Sequence, residues 1–97
     1  MKQPCVYILA SRPNGTLYTG VTSDLCKRIS QHRLEQVDGF TKAHGIKKLV
    51  WYEPHETMEQ AILREKRIKK WRRGWKIELI VKGNPNWRDL FERLCSG

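Results

Sequence analysis

No apolar run in this chain comes near the roughly 20 residues a helix needs to cross a bilayer, so a membrane-spanning role is not expected. The first residues, Met1-Lys2-Gln3-Pro4, lack the charged-then-apolar layout of a secretory signal, which leaves the cytoplasm as the expected location. Cysteine is scarce: Cys5, Cys26 and Cys95 are odd in number and lack the close paired spacing of zinc or redox motifs. Structural zinc is therefore not expected, and three reduced, structural thiols are. Internal repeats, low-complexity tracts and linkers are also missing, and 97 residues supply one core, so the chain reads as a single domain over 1–97.

Acidic residues are the remaining shortage, with 10 Asp and Glu against 19 Lys and Arg and a formal charge of +9. The excess is concentrated at 64–76, in Arg64, Lys66, Arg67, Lys69, Lys70, Arg72, Arg73 and Lys76, with Trp71 and Trp75 interleaved. Such a stripe is the electrostatic footprint of a polyanion binder. Lys69, Lys70, Arg72 and Arg73 are the expected phosphate contacts here, together with Lys42 in the loop before the third strand. The plainer alternative is a solvated helix face whose stems cover apolar surface. A membrane-surface helix is disfavoured, because the apolar face of 57–71 is committed to the core.

The one acid in that basic stretch is Glu65. Met58, Ala61, Ile62 and Ile68 recur at helical spacing around it, so the stripe that should face inward runs through the carboxylate. An ionised group facing an interior is costly unless it is paired or holds a cation. Glu65 is thus a candidate metal ligand, with ion pairing to a Lys or Arg as the alternative.

Along the chain, Cys5 to Ser11 and Thr16 to Thr22 are rich in strand formers and are joined by Arg12-Pro13-Asn14-Gly15, a turn signal. They predict a β-hairpin. A loop of two or four residues puts Tyr7, Leu9, Tyr18 and Gly20 on one face; a loop of three would not. Thr22 or Ser23 is expected to cap a helix that turns Leu25, Ile29 and Leu34 inward and carries Arg28 and His32 as neighbours on its surface. A loop over 36–47 precedes a third strand at Leu49–Glu53. Thr57 and Gln60 form a capping box for the Glu65 helix, which runs to about Trp71 and breaks near Gly74. Trp75 to Val81 is read as a short helix, and Asn84-Pro85 as the start of a last one through Leu90, Phe91 and Leu94. The order is β-β-α-β-α-α-α, an α/β fold.

These side chains suit phosphodiester hydrolysis, which needs an activated water and a cation for charge developing on the phosphate. Arg28 suits the phosphate, and Glu65 suits Mg²⁺ or Mn²⁺, since one carboxylate can hold a hard ion whose other ligands are waters and phosphate oxygens. His32, with a near-neutral ordinary pKa, suits a general base; Tyr7 or Tyr18 would need a nearby cation to assist. Each has a plainer reading: the tyrosines as packing residues, Arg28 and His32 as surface groups. His44 and His55, lacking comparable neighbours, read as structural or solvent-exposed.

Cys5-Val6-Tyr7, then Tyr18-Thr19-Gly20 after a turn, then Arg28 with His32, then an inward Glu65, resembles the GIY-YIG nuclease superfamily over about Cys5 to Leu90. The likeness is greatest to small bacterial stand-alone members, through Gly-Val-Thr-Ser-Asp-Leu at 20–25, Gly-Phe-Thr-Lys at 39–42 and Trp-Arg-Arg at 71–73. The resemblance implies a three-stranded antiparallel sheet with helices and metal-dependent hydrolysis of DNA. It also implies roles: Glu65 on the one divalent ion, Arg28 on the scissile phosphate, Tyr7 as base or water-orienting phenol, Tyr18 in the hydrogen-bond network, and His32 as a second candidate base. Cys5 stands where the signature has its first glycine, Val21 stands where the excision-repair members have a lysine, and an asparagine found in some relatives matches only Asn84 or Asn86 here.

Relatives with appended targeting domains take their specificity from them. This chain is expected to act with a targeting protein partner, with little sequence preference, or by recognising nucleic-acid structure. Two functions are expected from different classes: an endonuclease acting on DNA, or on RNA, and a catalytically silent nucleic-acid-binding protein on the same scaffold. A protein-interaction role is a third, disfavoured by the charge.

Overall fold

A computed structural model describes residues 2–34 and 45–95. Three antiparallel strands, β1 (Lys2–Ala10), β2 (Leu17–Asp24) and β3 (Lys48–Pro54), form a sheet in the order β2-β1-β3. The helices are α1 (Leu25–Arg33), α2 (Met58–Lys69), α3 (Arg73–Gly83) and α4 (Phe91–Cys95), so the expected β-β-α-β-α-α-α order holds. The central strand is buried from Cys5 to Ala10 without alternation, because both of its faces are covered.

Strand period divides the core in two. Cys5, Tyr7 and Leu9 pack with Leu25 and Ile29 of α1 and, at the margin, with Leu90, Phe91 and Leu94. Val6, Ile8 and Ala10 pack on the opposite face with Ala61 and Ile68 of α2 and Ile80 of α3. The hairpin register pairs Tyr7 with Gly20 and Leu9 with Tyr18. The loop is the four-residue alternative: Ser11 N–H donates to Thr16 O at 3.1 Å, and Gly15 N–H closes the turn on Arg12 O at 2.9 Å. Pro13 sits at its first central position and Asn14, at φ 57°, at its second, the positive-φ site such a turn requires.

Several expectations need correction. Asp24, not Thr22 or Ser23, caps α1, accepting from Lys27 N–H; Thr22 Oγ1 instead accepts from Asp24 N–H. Leu34 is the residue after α1 and is 67% exposed; the inward stripe is Leu25, Ile29 and His32. Thr57 does cap α2 through Gln60 N–H, but α2 ends at Lys69, ahead of Gly74, which lies inside α3. Ile62, expected inward, lies at the exposed margin of α2.

The last helix begins at Phe91, not at Pro85. Asn84 lies at the end of α3 and is buried, donating through Nδ2 to Val50 O (3.1 Å) and Arg88 O (2.9 Å) and accepting from Arg88 N–H at 3.0 Å. With its side chain so used, the segment turns instead of coiling, and Trp87 is held at φ 54°, a conformation a bulky residue adopts only when its surroundings fix it. Asp89 then ties the segment to β3 by accepting from Leu49 N–H (3.2 Å), and to α1 through an ion pair with Arg33.

Cys26 and Cys95 are not reduced thiols: they form a disulfide spanning 69 positions that clips α4 to α1. Cys5 is buried, and burial raises its thiol pKa, as expected of an inert structural cysteine. No helix among the described residues is long and apolar enough to cross a membrane.

Candidate active site

Tyr7 projects from the centre of the sheet, Tyr18 from the neighbouring edge strand, and Arg28 and His32 from successive turns of the helix that covers them. His32, expected on the surface, is 2% exposed, and its Nε2 lies 3.2 Å from the Tyr7 hydroxyl. The rings form a cluster: centroids are 6.4 Å apart for Tyr7 and Tyr18, 6.0 Å for Tyr7 and His32, and 5.4 Å for Tyr18 and His32, the last two edge-on. His32 is buried because 25, 29 and 32 fall on one helical face.

Arg28 completes the group. Its guanidinium pKa is raised above the ordinary value by its hydrogen bond to Tyr7 first; partial burial opposes the shift, and the charge interactions with Tyr7 and Tyr18 add to it. Both tyrosines thus favour the charged form of a side chain that is protonated at any working pH in any case.

Gly20 lets the cluster close. A Cβ at that position would stand 2.5 Å from the Tyr7 hydroxyl oxygen, 2.6 Å from Tyr7 Cζ and 3.1 Å from a Tyr18 ring carbon. Tyr7 is fully buried and has no room to withdraw, so the hydroxyl depends on a residue without a side chain opposite it. The paired register at Tyr7 and Gly20 puts that glycine there.

Glu65 lies on α2, whose Ala61 and Ile68 pack on the other face of the sheet. The helix runs across β1 and β2, the latter being the edge strand that carries Tyr18 and Gly20. The inward expectation is met in part: the Glu65 side chain is only 12% exposed, and its carboxylate pairs with Lys69 Nζ at 3.0 Å. The structure thus gathers Tyr7, Tyr18, Arg28 and His32 under α1, and puts Glu65 on the helix flanking the same edge strand.

The expected phosphate contacts differ in their freedom. Lys70 and Arg72 are exposed, while Lys69, itself exposed, meets Glu65. Arg73 is engaged, donating to Asn14 O at 2.7 Å and to Gly15 O, and so ties α3 to the hairpin turn. Lys42 and His44 lie outside the described residues. Lys76 was one charge among many in the sequence, but its amine pKa is pushed down by burial first and then by Lys69 and Arg73. Its place one turn after Arg72 was the signal for this basic corner. His55 has a neighbour after all: its Nε2 lies 2.8 Å from Glu53 Oε1, which also accepts from Arg64. Asn84, a candidate match for the asparagine of some relatives, spends its amide on backbone.

The chain matches the GIY-YIG catalytic domain over residues 3–78. It is 36% identical to a UPF0213 protein of Staphylococcus saprophyticus over 83 residues, covering 86% of this chain and all of that one. It is 37% identical to a UPF0213 protein of Staphylococcus aureus over 75 residues, covering 77% and 90% respectively. The solution NMR structure of a UPF0213 protein from Bacillus halodurans superposes with a TM-score of 0.56 at 27% identity, over 93% of this chain and 95% of that one.

Proposed function

Because the chain belongs to the GIY-YIG family, and so has a nuclease-type domain, we propose that it is a metal-dependent endonuclease that hydrolyses DNA phosphodiesters. The observation that carries this reading is the buried contact of Tyr7 with His32, with Tyr18 packed edge-on against His32 and the charged Arg28 beside them. Two phenols, an imidazole and a guanidinium gathered at one wall of a core are costly to assemble.

In this reading Arg28 binds the scissile phosphate and takes up the charge that develops on its oxygens. Tyr7 orients the attacking water and takes its proton as the phenol passes its own to His32 Nε2, 3.2 Å away. Tyr18 supports the guanidinium from the edge strand. Glu65 would hold the divalent ion. A largely buried carboxylate is a hard oxygen donor, and among the described residues no three His, Cys, Asp or Glu side chains gather to hold a metal. This donor set fits Mg²⁺ or Mn²⁺ with waters and phosphate oxygens, not zinc. Such an ion would supply charge stabilisation to the phosphate and the leaving oxygen. Lys69 would give up its contact with Glu65 and turn to the substrate, joining Lys70 and Arg72 as a phosphate-attracting rim.

That same Lys69 contact favours a second reading, in which Glu65 is merely charge-balanced and the chain binds nucleic acid without cutting it. One assay separates the two: single-stranded, duplex, branched and RNA substrates incubated with Mg²⁺, Mn²⁺ or a chelator, with Glu65→Ala alongside. The nuclease requires cleavage that depends on the ion and is lost in Glu65→Ala while binding persists. Salt-sensitive binding without cleavage under any metal establishes the silent binder instead.

A further inference from the structure

Beyond the tyrosine cluster, the molecule carries an aromatic cleft that the nuclease reading does not use. Trp71, in the link between α2 and α3, and Trp75, in the first turn of α3, meet edge to face with centroids 6.0 Å apart. With Glu78, Leu79 and Lys82 they line a cleft of about 320 Å³. Trp75 is 52% exposed, an unusual outlay for the largest apolar side chain. Trp71 is half-buried and braced by Arg64, whose guanidinium lies 5.3 Å from its ring centroid.

The surroundings say what would cover it. Lys70 and Arg72 stand exposed on the link itself, Lys82 lines the cleft, and the chain carries +9 overall. Glu78 is the one acid in the lining, an acceptor suited to an amino group on a base edge. An aromatic surface among cations is what a nucleic acid with unstacked bases requires, because the rings take the base and the cations take its phosphates. A regular duplex presents no free base face to it. The small volume also argues against the apolar face of a partner helix, which needs a long groove.

We propose that the Trp71–Trp75 cleft stacks an unpaired nucleobase, so that the preferred ligand is a nucleic acid carrying a single-stranded segment. This rests on nucleic acid being the ligand class, as above, and narrows it. The cleft opens at the C-terminal end of the helix that bears Glu65, so a base held there would fix where the strand meets the candidate active site.

The test uses the full chain with a chelator present, so that nothing is cut, and measures fluorescence anisotropy of labelled oligonucleotides. The probes are a blunt duplex, the same duplex with a deoxyribose tail, one with a ribose tail, and one whose tail is abasic. The tailed duplexes should bind about tenfold more tightly than the blunt one, with quenching of tryptophan fluorescence. Trp75→Ala should abolish that preference and leave blunt-duplex binding unchanged, and Trp75→Phe should retain most of it. Whichever tail binds more tightly identifies the sugar. An abasic tail that binds as well as a base-bearing one overturns the proposal while leaving the nuclease reading intact. A dimer dissolved by Trp75→Ala, with no change in nucleic-acid binding, overturns it by placing a second copy of the chain in the cleft. No binding to any probe overturns both readings.

Discussion

The two faces of the sheet use polar residues in opposite ways. Under α1, Tyr7 and His32 are fully buried, contact each other, and are joined by Tyr18 and Arg28. Across α2 and α3, Lys66, Arg67, Lys69, Lys70 and Arg72 stand in solvent. The first arrangement fixes geometry at the cost of desolvation; the second supplies attraction with little geometry. A domain that acts on a polyanion needs both, and Glu65 belongs to neither type, being an acid on the basic side that is nearly as enclosed as the cluster.

If the α1 face is a packed, pre-organised unit, its supports should matter most. Reducing the Cys26–Cys95 bond, or Cys95→Ser, removes a link that closes a loop of 69 positions on that face. The expected loss is roughly 4 kcal/mol of stability, read as a lower midpoint in denaturant. Arg28→Ala should slow cleavage by about a hundred- to a thousandfold, on the order of 3 kcal/mol, with the fold retained in circular dichroism. Gly20→Ala drives a methyl group into the Tyr7 hydroxyl and should cost about 1–3 kcal/mol of stability; its cleavage rate should drop even where the protein is folded. On the exposed basic side of α2 and α3, effects should be small and uniform. Lys70→Ala or Arg72→Ala should weaken binding equally for all sequences and reduce the salt slope by about 1. A Lys70 or Arg72 variant that changed the rate at saturating substrate as much as Arg28→Ala would erase the contrast between the faces.

How much of this was legible follows from the range over which each feature is determined. The shared face of Tyr7 and Tyr18 was readable because the hairpin is local and strand period is strict, leaving only loop length to settle; four residues settled it. The inward turn of Glu65 was readable from helical period. The burial of His32 was readable as well, since 25, 29 and 32 share a face; Leu34 extends the same apolar pattern but falls past the end of the helix. The disulfide was not readable, since Cys26 and Cys95 are brought together only by the packing of α4 on α1. Nor was the late start of the last helix. Asn84-Pro85 has the form of a helix start, yet the Asn84 side chain reaches Val50 O on a strand 34 positions away, and that tertiary bond overrides the local signal.

The central claim is that Arg28 on one face and Glu65 on the other serve a single reaction. The most direct measurement is a double-mutant cycle on DNA cleavage with Arg28→Lys and Glu65→Asp, milder changes that leave a measurable rate. Groups that act as one unit are strongly non-additive, so the double variant is predicted to be little slower than the slower single variant. Losses that simply multiply would contradict the claim, leaving Arg28 and Glu65 as independent features of the two faces.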